Sequence, residues 1–171
     1  KDPRAVQYLT LAGDHSLSQR APGAASHFYG SAVDLLEEEV GFGTRCDLLI
    51  ALGTAQFRAA DPEHRQTLLQ AAQLAAAHHD ADRLTAAVTA NNRGWYSSTA
   101  DIDVQRVMVI EAALRTCDTD DHVSRALLLS SWATENVRDS SRRSECLERS
   151  AEALALAEQV GDELLLGEVM S

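Results

Sequence analysis

The sequence predicts an all-α protein, a right-handed α-solenoid built from antiparallel helix hairpins. Apolar residues make up 45% of the chain but aromatic residues only 5%. With alanine and leucine abundant, this composition is typical of closely packed helices. β-Branched residues form no alternating run, so no strand is predicted. The chain also matches itself when it is shifted by about 40 residues, as expected of a repeat architecture.

The repeat is defined by positions that return in successive units. Gly13 returns as Gly53, and one small apolar register appears five times, as Val6, Cys46, Ala86, Ala126 and Leu166. Each unit is predicted to contain two helices, and a partial ninth helix follows the fourth unit. The predicted repeats are about 3–42, 43–82, 83–122 and 123–162, with the partial unit at 163–171. The whole chain, 1–171, is expected to be one repeat domain and a fragment of a larger protein.

The first two units show how the helices are delimited. In the first unit, Pro22 is expected to open the second helix, because proline suits the first helical position. In the second unit, helices are predicted over 43–59 and 62–78. Asp61 is the expected N-cap of the latter helix, and Pro62 is its expected first residue.

The third unit contains the unusual stretch TANNRGWYSSTADI, residues 89–102. Polar residues replace core residues there, so the first helix of this unit is predicted to end early. Trp95 and Tyr96 are expected to cover the resulting gap, with their polar edges paired. Asp101 is expected to cap a helix near 102–117.

The fourth unit is predicted to keep the same plan with a small shift. Ser140 or Ser141 is expected to start its second helix, near 141–160. The apolar positions of this helix are displaced by one residue from the register of the earlier units. Leu147 and Ala151 are therefore expected to take the apolar roles.

The pattern resembles a tetratricopeptide repeat. The segment LIALG carries the Leu-x-x-Leu-Gly motif of its first helix, at Leu49, Leu52 and Gly53. The second helix of unit one carries an Ala-x3-Tyr-x2-Ala spacing, at Ala25, Tyr29 and Ala32. The period is longer than in that family, and later units replace the glycine with Arg93 and Ala133. The repeat is therefore TPR-like rather than strictly of that family.

A wider resemblance covers most of the chain. The segments AGDHSLSQRAPGAASHFYGSAVDLL, RCDLLIALGTAQFRAADPEHRQTLLQAAQLA, ANNRGWYSSTADIDVQRVMVIEAAL and SAEALALAEQVGD carry it. They look like the helical region that follows the ATPase module of actinobacterial LuxR-type transcriptional regulators and related ATPases, some of them cyclase-linked. The resemblance implies a sensing or coupling segment between a nucleotide-binding part and a DNA-binding helix-turn-helix. No phosphate-binding loop motif occurs within the 171 residues.

Charge and cysteine content restrict the function further. The net charge of −11, without a basic stripe, argues against direct nucleic-acid binding by this segment. No apolar run is long enough to span a bilayer, so no membrane partner is expected. The three cysteines are odd in number and far apart, which favours a reducing, cytoplasmic location.

No catalytic, metal-binding or cofactor-binding constellation is predicted, so an enzyme is not expected. His78 and His79 are adjacent, and adjacent helical side chains diverge, so these residues are interpreted as a helix end rather than a metal site. Cys46 and Trp132 are expected to fill core positions.

The candidate binding residues lie along one face of the first helix in each unit, the expected concave surface of the solenoid. They are Arg58, Asn91, Ser131, Thr134 and Arg138. Small residues leave room there, and arginines bind carboxylates or phosphates. The alternative is a merely hydrated surface.

Two functions follow from this surface. The first is a non-catalytic sensor or interaction segment of a cytoplasmic LuxR-type regulator, binding a small effector or a neighbouring domain. The second is a stand-alone TPR-type peptide-docking scaffold. A homo-oligomer is possible under both.

Overall fold

A computed structural model describes residues 3–37, 41–91 and 102–170. Within these ranges the chain forms α-helices and one short 3-10 helix, and no strand occurs there, so the predicted all-α class is confirmed. The chain divides into two compact units, Lys1–Asn91 and Asn92–Ser171, and the single repeat domain stays a prediction. None of the described helices is long and apolar enough to cross a membrane.

The first unit contains five helices. Each packs against the next along the chain, and the third also packs against the fifth, so that α1–α2 and α3–α4 form hairpins. The helices are α1 (Pro3–Ser18), α2 (Pro22–Leu35), α3 (Phe42–Arg58), α4 (His64–Ala77) and α5 (Ala81–Ala90).

The second unit contains four α-helices and the 3-10 helix Ser140–Arg142. Consecutive helices again pack together, and α7 also contacts α9. The helices are α6 (Val104–Thr116), α7 (His122–Asn136), α8 (Arg143–Val160) and α9 (Glu163–Met170).

The helix boundaries support the repeat. The odd-numbered helices begin at intervals of about 40 residues, at Pro3, Phe42, Ala81, His122 and Glu163. The predicted spacing therefore appears in the order of the helices. Right-handed solenoid stacking of the whole chain stays a prediction.

Aspartates cap several of the described helices, in both units. Asp80, Asp103 and Asp121 each accept a hydrogen bond from the backbone N–H three residues later, at 3.0–3.1 Å. Asp139 accepts one from the Ser141 N–H at 2.9 Å. These bonds satisfy backbone donors that have no partner within the helix. Pro22 is the first residue of α2, as predicted.

Two predicted helix starts are wrong. α4 begins at His64 rather than Pro62, because Asp61 accepts a hydrogen bond from the Glu63 N–H at 3.0 Å and closes a separate turn. α8 begins at Arg143, since residues Ser140–Arg142 form the 3-10 helix that Asp139 caps. Asp103 caps α6, and the expected cap Asp101 lies outside the described residues, as do Trp95 and Tyr96.

The core of the first unit contains the expected small and apolar residues. Tyr29 of α2 is buried against α1, and its hydroxyl donates a hydrogen bond to Asp14 Oδ1 at 2.7 Å. Cys46 is fully buried, as predicted. Outside this core, the exposed ring of His78 stacks on the ring of Phe42, with the ring centroids 4.0 Å apart.

The core of the second unit combines apolar packing with a buried ion pair. Trp132 is fully buried, as predicted, and its indole N–H donates to Glu111 Oε1 at 3.1 Å. The guanidinium of Arg149 lies 3.9 Å from the indole centroid, a cation–π contact. Arg106 Nε lies 2.7 Å from Glu135 Oε1, and their side chains are only 3% and 6% exposed. This pair connects α6 to α7 in the interior.

The predicted shift of apolar positions in α8 is wrong. Leu147 is 65% exposed and Ala151 is also exposed, whereas Cys146, Ala153 and Ala157 are buried. The buried positions therefore follow a different register from the one expected. The reason is that α8 packs against its neighbours through the face that contains Cys146, Ala153 and Ala157. The hydrophobicity of Leu147 alone did not indicate this face.

Candidate functional site

A pocket of about 570 Å³ lies in the second unit. It is formed by the C-terminal half of α7, the N-terminal half of α8 and the end of α9. Its volume is in the range of small-molecule sites. The lining residues are Ser130, Ala133, Thr134, Val137, Arg138, Ser140, Arg143, Cys146, Leu147, Ser150, Val169 and Met170. We call this space the α7–α8 pocket.

Packing between helices builds the base of the α7–α8 pocket. Ala133 and Cys146 are both buried there, one from α7 and one from α8. The Ser130 hydroxyl donates a hydrogen bond to the carbonyl of Val169 at 3.2 Å, which ties α9 to α7. Leu165 of α9 is buried against Ala126 and Ala157 in the same unit. Contacts within the pocket wall and in the core beside it therefore hold its three helices together.

Cations and hydroxyl groups form the polar part of the pocket. Arg138 follows the end of α7 and Arg143 is the first residue of α8, and both are exposed. No acidic residue is among the described lining residues, although the chain carries a net charge of −11. The local excess of guanidinium groups favours an anionic ligand.

Apolar side chains supply the remaining wall. Val137, Leu147 and Met170 line the pocket and are each more than half exposed. Large apolar side chains grouped at a concave surface are typical of binding sites. Combined with the two arginines, they suit a ligand with one apolar end and one anionic end.

Cys146 is not an activated nucleophile. Burial raises the pKa of its thiol, and the negative charges of Glu145 and Asp139 raise it further. A thiol with a raised pKa stays protonated at neutral pH, and the protonated form is a poor nucleophile. Cys146 therefore acts as an apolar surface at the base of the pocket.

The structure brings together only two of the five predicted site residues. Thr134 and Arg138 line the α7–α8 pocket. Arg58 is an exposed residue at the end of α3, in the other unit. Asn91 is 4% exposed and Ser131 is 5% exposed, so the expectation that they face an open groove is wrong.

The burial of Asn91 and Ser131 has a packing explanation. Asn91 follows α5, which packs against α3 and α4, and its Nδ2 donates to the carbonyl of Arg65 at 3.4 Å. Ser131 belongs to α7, which contacts three other helices of its unit. A helix with that many neighbours buries a wider face than a two-helix hairpin predicts.

Several lining residues were missed from the sequence, and those with large or polar side chains on α8 and α9 matter most here. They are Arg143, Leu147, Ser150, Val169 and Met170. The prediction placed binding residues only on the first helix of each unit. Arg143 carried a usable signal, because it is a cation at the start of a helix, where an acidic residue is favoured.

A second groove, of about 410 Å³, lies between α1 and α3 in the first unit. Gln7 and Leu11 of α1 and Asp47 and Ala51 of α3 are among the residues that line it. Its charged group is already paired, because Arg83 donates two hydrogen bonds to the Asp47 carboxylate, at 2.7 and 2.9 Å. This groove therefore offers mainly apolar contacts.

A third groove, of about 600 Å³, crosses α6, α7 and α8. Charged residues of both signs line it, and several pair with one another. Arg125 lies 2.8 Å from Glu152, and Arg149 lies 2.7 Å from Glu145. These pairs partly neutralise one another, so the groove has less unpaired charge to offer a ligand than the α7–α8 pocket.

Comparison with known proteins adds no relative. No family model matches the chain, and no curated protein or solved structure matches it significantly. The function is therefore argued from the pocket itself.

Proposed function

We propose that this chain is a non-catalytic sensor or interaction segment of a cytoplasmic LuxR-type transcriptional regulator. The α7–α8 pocket is the proposed binding site for a small effector or for a group presented by a neighbouring domain. The observation that supports this proposal is the combination of Arg138, Arg143 and apolar walls, with no acidic residue among the described lining residues. Such a site binds an amphipathic anion by charge-assisted hydrogen bonds and apolar contact.

Ligand retention tests the binding role. The purified chain is dialysed against a small-molecule extract of the cells that produce it, and retained compounds are identified by native mass spectrometry. We expect the wild type to retain a compound that Arg138→Glu does not, because the reversed charge repels an anion. Arg58→Glu makes the same charge change at the end of α3 and should leave retention unaltered. If the wild type retains nothing, or both variants behave alike, this pocket is not the binding site.

The regulator assignment has a separate test in the gene. The reading frame on either side of these 171 residues should encode a phosphate-binding loop before them and a helix-turn-helix after them. A frame that encodes neither motif would contradict the assignment. The binding role of the α7–α8 pocket would be unaffected by that result.

A second candidate function is a TPR-type peptide-docking scaffold. The observation that favours it is the apolar groove between α1 and α3, where Leu11 lines the groove and is more than half exposed. A panel of peptides with free carboxyl termini tests this function by fluorescence anisotropy. Saturable binding that Leu11→Ser weakens would support the scaffold, and its absence would count against it.

A further inference from the structure

The α7–α8 pocket lies at the position of a missing large side chain in the helical repeat. In α2 the buried residues are Ala25, Tyr29 and Ala32, with Leu36 just after the helix end. In α8 the buried residues are Cys146, Ala153 and Ala157. The three α8 residues have the same spacing as Ala25, Ala32 and Leu36. By this spacing, the residue of α8 that corresponds to Tyr29 is Ser150.

The large residue at this position packs over a glycine in the first two hairpins. A Cβ atom added to Gly13 would lie 2.5 Å from Cε1 of Tyr29, and one added to Gly53 would lie 2.5 Å from Cγ of Leu68. The ring of Tyr29 thus rests directly on the backbone of α1. Leu68 occupies the same place over α3.

The α7–α8 hairpin lacks both members of this pair. Ala133 and Thr134 stand three repeat lengths after Gly13 and Asp14, about 120 residues later. They line the pocket together with Ser150, which is exposed. Where Tyr29 fills the space between two helices of the first unit, a serine leaves that space open. This open space forms part of the α7–α8 pocket.

We propose that the α7–α8 pocket binds a small aromatic monocarboxylate, whose ring takes the place of the missing tyrosine side chain. This inference rests on the proposed function and names the ligand class of that same site. Val137, Leu147 and Met170 contact the apolar part of the ligand. The carboxylate pairs with Arg138 and Arg143, whose guanidinium groups hold carboxylates in a bidentate geometry.

Isothermal titration calorimetry with three probes tests the ligand class. Phenylpropanoate carries both the ring and the charge, phenylpropanamide has the ring without the charge, and acetate has the charge without the ring. We expect saturable binding of phenylpropanoate to the 171-residue chain. The amide and acetate should each bind at least about tenfold more weakly, because each lacks one of the two sets of contacts.

Two sets of variants locate the binding. Arg138→Gln and Arg143→Gln should each weaken phenylpropanoate binding by about tenfold, while the control Arg58→Gln should not. The double variant Ala133→Gly/Ser150→Tyr recreates the glycine–tyrosine pair of the first hairpin. It should keep the helical circular dichroism of the wild type and lose phenylpropanoate binding. If the double variant does not fold, the two arginine variants test whether phenylpropanoate binds in this pocket.

Three outcomes would overturn the inference. They are no saturable binding of phenylpropanoate, equal binding of the uncharged amide, or binding that survives in a folded Ala133→Gly/Ser150→Tyr variant. The proposed function fails on a different result, namely no Arg138-dependent retention of any compound from the cell extract. Retention of a ligand that is not an aromatic carboxylate would leave the function standing and remove only this ligand class.

Discussion

Glycine–side-chain contacts explain much of the residue-scale packing in the first unit. Gly13 and Gly53 hold the same register, and each lies under a large buried residue of the next helix. A glycine inside a helix costs about 1 kcal/mol relative to alanine. The close approach of Tyr29 and Leu68 offsets this cost, because any side chain at the glycine would displace them.

Replacing Gly13 by alanine should destabilise the protein by about 1–3 kcal/mol, because the new Cβ overlaps the ring of Tyr29. Gly30→Ala is the matched control. Its added Cβ would have an ordinary contact, 3.9 Å from Leu52, so helix propensity should stabilise the protein by up to about 1 kcal/mol. Urea denaturation measures both changes. Equal effects at the two glycines would contradict the close packing at Gly13.

Single residues differed in how well the sequence predicted them. The burial of Cys46 followed from its repeat register, and Trp132 was also expected in the core. The buried pair of Arg106 and Glu135 was not predicted, because a lone arginine and a lone glutamate about 30 residues apart carry no periodic signal. Only the packing of α6 against α7 places these charges together.

At the scale of the helices, aspartate caps set several of the boundaries. Hydrogen bonds from the Ser124 hydroxyl and backbone N–H lower the pKa of Asp121, and hydrogen bonds from Ser141 lower that of Asp139. A carboxylate whose pKa is lowered by folding stabilises the folded state above its unfolded pKa of about 3.9. That stabilisation is lost as the pH falls through the lower, folded pKa.

Asp121→Ala should lower the free energy of unfolding by about 1 kcal/mol at pH 7, because α7 loses its N-cap. The difference between wild type and variant should shrink as the pH falls below about 4, where Asp121 of the unfolded chain becomes protonated, and should be lost as the pH falls through the lower pKa of the folded state. Asp121→Asn keeps an acceptor at this position and should lose less stability at pH 7. Urea denaturation over a series of pH values measures these differences. A gap that widens toward low pH would contradict the cap.

The predicted boundaries failed where a short turn competes with the helix. Asp61 and Ser140 both looked like helix starts, because each stands where a capping residue is favoured. In the structure Asp61 closes a turn of its own, and Ser140 opens a 3-10 helix before α8. The same side chains stabilise a turn or a cap, so the local sequence does not distinguish the two.

At the scale of the whole molecule, each unit has its own core. The first unit is centred on Tyr29, and the second on Trp132 and the Arg106–Glu135 pair. In repeat proteins, stability arises mainly from each repeat and its nearest neighbours. A local defect should therefore act mainly within its own unit.

Hydrogen exchange with mass spectrometry tests this independence. Gly13→Ala should raise the exchange of backbone amides in α1, α2 and α3, because the defect lies in that hairpin. Amides of α7 and α8 should exchange as in the wild type. A uniform rise across both units would instead show that the chain unfolds as one cooperative body.

The sequence by itself determined the helical class, the spacing of the helices and the burial of some residues that recur with the repeat, such as Cys46 and Ala126. These properties follow from periodicity along the chain, which reports the buried face of each helix. It also singled out Thr134 and Arg138 as candidate binding residues.

Only the tertiary structure decided which side chains share a pocket. The α7–α8 pocket combines residues of three helices, and small residues such as Ala133 and Ser150 are among those that line it. Asn91 and Ser131 were expected to face an open groove, but neighbouring helices bury them. A cavity is a property of side-chain volumes across several helices, and the periodicity of one helix contains no record of the others.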